Sequence, residues 1–249
     1  MTKATFFIPV ILMTTLFSAE NAVSAISLDR TRIVFDGNQK SISVTVTNKN
    51  QQLPYLAQAW MDDESGQKIT SPFVVLPPVQ RIEPDKTSQV RIDALPEVSA
   101  LPQDRESLFY FNLREIPPKS SKPNVLQFAL QSKIKFFYRP ASIAISGTEL
   151  MSNPWQNKIE LIKNGNGFDI KNPTPYYVTI INAHKTKNYS VKKEFNAVMV
   201  PPFGNKNLGV SMDEVGMSPV LTYINDYGGR IDLQFECGQA ICKAVPDKK

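Results

Sequence analysis

From residue 26 onward, turn-forming residues cut the chain into short runs rich in Val, Ile, Thr, Phe and Tyr, and almost no stretch carries a helical period. A chain patterned in this way buries its apolar side chains by pairing strands, so the expected class is all-β. In the first half the runs are ISLDRTRIVF (residues 26–35), SISVTVTN (41–48), PYLAQAW (54–60), FVVL (73–76), SQVRIDA (88–94), LFYFNLREI (108–116) and a strand opening at Asn124. Seven strands in succession is the count of an immunoglobulin-like sandwich. Prolines at positions 77, 78, 84, 95 and 102 fall in the connections, where a missing N–H donor does no harm.

The second half repeats the style less regularly. KIELIKN and GFDIKN flank an Asn164-Gly165-Asn166-Gly167 turn as a hairpin, and YYVTIINAHK, FNAVMV, VLTYINDYGG and IDLQFEC follow. A chain of 249 residues, 42% hydrophobic and 20% charged, has room for two such units. The expected boundary lies just after Arg139-Pro140, with no flexible Gly/Ser linker, so the two sandwiches should hold a set angle with a cleft between them. The expected division is 1–24, 25–141 and 142–249, the first being a secretory signal peptide. It carries Lys3, the apolar run FFIPVILMTTLF and small residues Ala22 and Ser24, with cleavage expected before Ala25 or, alternatively, just after it. No second apolar run approaches the roughly 18 residues of a membrane span, and the mature protein is expected to be soluble, without membrane insertion.

Function classes narrow quickly. The net charge is +5, but the basic residues are scattered and not interleaved with aromatics, so nucleic acid is not an expected partner. Cys237 and Cys242, the two cysteines, read as a local disulfide in an exported chain, since CGQAIC lacks the spacing of a redox-active pair. His184 is the single histidine, and INAHKTKN around it holds no nucleophile. It reads as the exposed end of a strand, and no metal site, cofactor or catalytic triad is expected. Asp62, Asp63 and Glu64 cluster in DDESGQK, which reads as a turn.

Residues 124–140, NVLQFALQSKIKFFYRP, bear most directly on function. Leu126, Phe128 and Leu130 alternate with Gln127, Ala129 and Gln131, as in a strand with one apolar face. Periodicity leaves two readings open: ordinary core packing, or a sheet edge that offers its backbone and apolar side chains to a partner. Strict alternation also puts Lys133 and Lys135 on the face opposite those three residues. Either the strand bulges near Ser132, or a cleft lies where the opposite face points.

The segments ISLDRTRIVFDG, QLPYLAQAW, PPVQRIEP, LPQDRESLFYFNLREIPP, KIKFFYRP, NPTPYYVTI and YINDYGGR, in this order, resemble the PapD-like periplasmic pilus chaperones over essentially the whole mature chain. The resemblance implies two immunoglobulin-like β-sandwich domains arranged as a boomerang, and a protein that binds, folds and caps pilus subunits and delivers them to an outer-membrane usher. It implies that Arg32 and Lys135 bind a subunit's C-terminal carboxylate. Leu126, Phe128 and Leu130 match the strand lent to an incomplete subunit sandwich, and Glu106, Arg139 and Asp226 match interdomain salt-bridge positions. The short connection PPKSSKP is similar to the branch of the family that serves rod-forming and composite pili. Free protein is also expected to self-associate through the lent strand. A secreted pilin or adhesin is the alternative, but the ending KAVPDKK lacks a pilin's aromatic, glycine-bearing last strand. A β-sandwich enzyme would need a paired-carboxylate site or a catalytic histidine, so no enzymatic activity is expected.

Overall fold

The computed structural model describes residues 24–121, 123–185 and 195–245; the expected signal peptide lies outside these except for Ser24. The first unit is built from β1 (Ile26–Leu28), β2 (Arg32–Asp36), β3 (Ser41–Asn48), β4 (Tyr55–Asp62), β5 (Lys68–Ile69), β6 (Phe73–Leu76), β7 (Val79–Ile82), β8 (Thr87–Ala94), β9 (Ser107–Ile116) and β10 (Gln131–Arg139). One sheet runs β1-β3-β8-β6 and the other β2-β10-β9-β4-β5, with β7 also paired to β4.

The run at residues 26–35, expected as one strand, divides between the two sheets. β1 pairs antiparallel with β3, and β2 joins the other sheet parallel to β10. The cause is visible in the spacing of apolar residues: Ile26 and Leu28 are even-numbered, whereas Ile33 and Phe35 are odd, and a straight strand cannot bury both sets on one face. Crossing at Asp29-Arg30-Thr31 lets each half face the same core from opposite sheets. That core is aromatic: the Phe73 ring lies 5.4 Å from Phe35 and 4.7 Å from Phe136, both edge-on.

The second unit contains β11 (Glu160–Asn164), β12 (Gly167–Lys171), β13 (Val178–His184), β14 (Val198–Val200), β15 (Asn205–Ser211), β16 (Val220–Ile224), β17 (Arg230–Cys237) and β18 (Ile241–Val245). They form one ladder, β14-β13-β16-β17-β18-β11-β12-β15, whose end strands lie against each other. The sheet therefore wraps around a second, separate core that includes Phe168, Ile170, Leu221 and Phe235. The β11–β12 hairpin turns through Gly165 at φ 57°, a conformation glycine adopts without steric cost. Four strands, β5, β7, β15 and β18, are not among the sequence patterns.

His184 corrects the expectation of a solvent-exposed strand end. It does end β13 but is buried, with Nε2 3.9 Å from Asp232 Oδ1 on the face of the sheet. The acidic run at 62–64 is divided as well: Asp62 closes β4 and is buried, while the Asp63 carboxylate accepts from the Ser65 hydroxyl and the Gln67 N–H inside a tight turn.

Candidate functional site

Strand β10 supplies both a core and a cleft because its two faces meet different surroundings. Ile134, Phe136 and Tyr138 pack into the first core, and the odd-numbered residues point the other way. The β9–β10 ladder runs without interruption from Gln131↔Arg114 to Tyr138↔Ser107, so no bulge reorients Lys135. Instead, the opposite face looks onto the second unit. There the Lys135 ammonium donates to Thr179 Oγ1 at 3.0 Å, and the Phe137 ring packs 5.7 Å from that of Tyr177.

Arg32 is the register partner of Lys135 across the parallel β2–β10 pair, which places both side chains on the cleft side. Only 8% of Arg32 is exposed. Its Nη1 donates to the Ile224 carbonyl at 3.1 Å, its guanidinium lies 5.9 Å from the Phe137 ring centroid, and its Nε has no hydrogen-bond partner. Neither cation forms an ion pair among the described residues. Burial, reinforced by the Arg32 charge, brings the Lys135 ammonium down to about 8. Burial also lowers Arg32, against the pull of Asp226 and Glu106. Two adjacent cations that meet only neutral acceptors are a ready site for an anion, and a carboxylate matches the planar guanidinium fork.

Below this pair, Arg139 joins the two units. Its guanidinium bonds Glu106 at 2.7 Å and Asp226 at 2.8 Å, and it stacks 4.7 Å from the Tyr176 ring. Glu106 also accepts from the Tyr177 N–H at 2.7 Å, and its own N–H donates to the Pro175 carbonyl at 2.9 Å. Burial raises the Glu106 carboxyl, while the charges of Glu106 and Asp226 overcome burial and raise Arg139. Both shifts are upward, so the first favours the neutral carboxyl and the second the charged guanidinium. Donors from both Arg139 and the Tyr177 backbone converge on the Glu106 carboxylate, so the ionised pair is the state the geometry favours.

The strand expected across residues 124–140 begins only at Gln131. β9 stops at Ile116 because Pro117 and Pro118 have no N–H to extend a ladder, and the last bond to it on this side runs from Glu115 N–H to the Leu130 carbonyl at 3.0 Å. Upstream, Leu126 is 76% exposed, Phe128 69% and Leu130 42%. They continue the numbering parity of Ile134, Phe136 and Tyr138 but cover no core of their own. The other edge is open as well, since β2 accompanies β10 only from Lys135 onward. Alongside residues 125–134, the lane that β2 would occupy is vacant among the described residues, and it ends at Arg32.

Cys237 and Cys242 are disulfide-bonded at register-paired positions of β17 and β18. The cation pair, the three apolar residues and the Arg139 network thus occupy one continuous stretch of β10 and its neighbours. Thr179 and Ile224, which touch the two cations from the second unit, lie within the segments NPTPYYVTI and YINDYGGR, but nothing in those segments marks either as a site residue. Each is an ordinary strand residue, and only the relative placement of the two units brings them here.

Residues 25–144 match the family described as pili and flagellar-assembly chaperone, PapD N-terminal domain, and residues 154–235 match the pili assembly chaperone PapD, C-terminal domain. The chain is 50% identical over 234 residues to the chaperone protein PapD of Escherichia coli, covering 94% of this chain and 95% of that one. It is 49% identical over 223 residues to the probable fimbrial chaperone YfcS of Escherichia coli strain K12, covering 90% and 87%. Among solved structures, the periplasmic chaperone SfaE superposes with a TM-score of 0.66 at 30% identity, covering 84% of this chain and 98% of that one. Two family matches in order along one two-unit β fold, with half of the aligned residues shared with a PapD chaperone, show that the chain belongs to the PapD family of pilus-assembly chaperones.

Proposed function

We propose that the protein captures pilus subunits in the periplasm by holding their C-terminal carboxylate between Arg32 and Lys135 and lending them the strand at residues 125–130. The vacant lane alongside β10 is the observation that carries this reading. A guest strand in that lane, with its C-terminus at Arg32, runs in the same direction as β2 and therefore parallel to β10. Its backbone completes the ladder along residues 125–134, and Leu126, Phe128 and Leu130 fill the groove of the guest's own sandwich. Full burial of these three is worth up to about 1.5 to 3 kcal/mol each before ordering costs. Because the anchor reads a chain end and the ladder reads backbone, several subunits of different sequence are accepted.

No chemical step is involved, and the cleft needs neither nucleotide nor metal. Exchange of the lent strand for one from the next subunit drives assembly at an outer-membrane usher. The Arg139 network sets the angle between the domains, and the seven residues 117–123 that precede the lent strand support a reading toward rod-forming or composite pili. The apolar segment within residues 1–24 supports secretion into the periplasm, the compartment named for its relative SfaE. Mass spectrometry of proteins that co-purify with the tagged chaperone from periplasm tests the reading. Pilus subunits are the expected partners, and their absence from a system that assembles pili contradicts it.

A further inference from the structure

We infer that Thr179 is a third binding residue of the carboxylate anchor, contributed by the second domain. The inference rests on the anchor reading above and deepens it. Thr179 lies on β13 between Val178 and Ile180, both buried in the second core, so alternation turns its own side chain outward to the first domain. It is nevertheless buried, 4% exposed, beneath Lys135. The hydroxyl accepts from the Lys135 ammonium at 3.0 Å, and its own proton meets no acceptor among the described residues. A hydroxyl both donates and accepts, so this one has a donor to spare at the place where a guest carboxylate meets Lys135.

Arg32 is held in the same manner, by the Ile224 carbonyl at 3.1 Å. Both cations of the first domain therefore rest on acceptors of the second. A carboxylate arriving between them receives the guanidinium, the ammonium and the Thr179 O–H. This three-donor arrangement satisfies an anion more completely than the cations alone, and it makes the second domain part of the recognition site. A backbone carbonyl serves Arg32 equally well whatever the side chain, but the role at position 179 requires a hydroxyl.

The test titrates full-length mature protein with a synthetic peptide of alternating apolar sequence, prepared as the free acid and as the C-terminal amide. Wild type should prefer the acid. Thr179→Val, which keeps the shape and removes the hydroxyl, should weaken acid binding by about five- to thirty-fold while leaving amide binding nearly unchanged. Thr179→Ser should restore the preference, which a general loss of packing would not allow. Undiminished acid preference in Thr179→Val overturns this inference alone, whereas equal binding of acid and amide by wild type overturns the anchor and this inference with it.

Discussion

Arg32 and Lys135 stand side by side on parallel strands, and no acidic side chain among the described residues forms an ion pair with either. The carboxylates whose charges act on Arg32, Asp226 and Glu106, are committed to Arg139. The fold thus commits its interdomain acids to one arginine and leaves the buried Arg32 and the half-buried Lys135 without an ion-pair partner among the described residues. Uncompensated buried charge destabilises a protein on its own and is retained where a ligand will neutralise it.

That arrangement makes the stability of Lys135 depend on pH with a definite sign. Its ammonium is brought down from 10.5 to about 8, so between those values the unfolded chain binds more protons than the folded one, and this group's contribution to stability rises with pH. Below about pH 8 the full cost of the buried charge is present. Lys135→Met should therefore melt higher than wild type at pH 7, with the difference closing as pH rises toward 10.5, as followed by thermal denaturation across that range. Carboxylate capture should show the opposite trend in the wild type, weakening above about pH 8 by at most about tenfold per pH unit.

Phe128→Asp separates capture from folding. Phe128 is 69% exposed and covers no core, so the substitution should alter unfolding free energy by about 0.5 kcal/mol or less. Subunit recovery should fall sharply, because a charge would enter the groove of the guest sandwich. Equilibrium unfolding and co-purification, compared on the same preparation, check the order of the two effects.

Arg139→Ala should do the reverse at first sight, striking the fold hardest. It leaves Glu106 buried without its cation, an arrangement that costs roughly 3 to 5 kcal/mol. Asp226→Ala removes a more exposed partner of the same guanidinium and should cost less. Urea denaturation of both variants tests the ranking.

Much of this site was legible before the structure, but unevenly. The strand periods and the hairpin at Gly165 followed from alternation and turn chemistry, because those are local rules. The split of residues 26–35 was written in the change of parity between Leu28 and Ile33, a signal that a search for uninterrupted runs passes over. Where the ladder of β10 begins was not legible: the pattern LQFALQ is equally regular whether or not a partner strand exists, and only the two prolines after Ile116 hint that β9 has ended. His184 was misread for a related reason, since nothing local tells a strand end at the surface from one covered by its neighbours. The contacts of Thr179 and Ile224 with the cations depend on how two separately folded units meet, which no single segment encodes.

Replacing both cysteines by serine should lower stability by roughly 2 kcal/mol in the chain-entropy view, since the bond closes only the short loop between β17 and β18. The cleft is formed elsewhere, so subunit capture at low temperature should persist, as co-purification under those conditions will show.

The most direct test of the account is periplasmic co-purification of subunits with Arg32→Ala and Lys135→Ala. Loss of one charged contact at the anchor should weaken capture by about thirty-fold to several thousand-fold, so neither variant should retain subunits through purification, although both remain folded by melting. Recovery of subunits at the wild-type level by both variants would contradict the claim that these two cations hold the end of the guest chain.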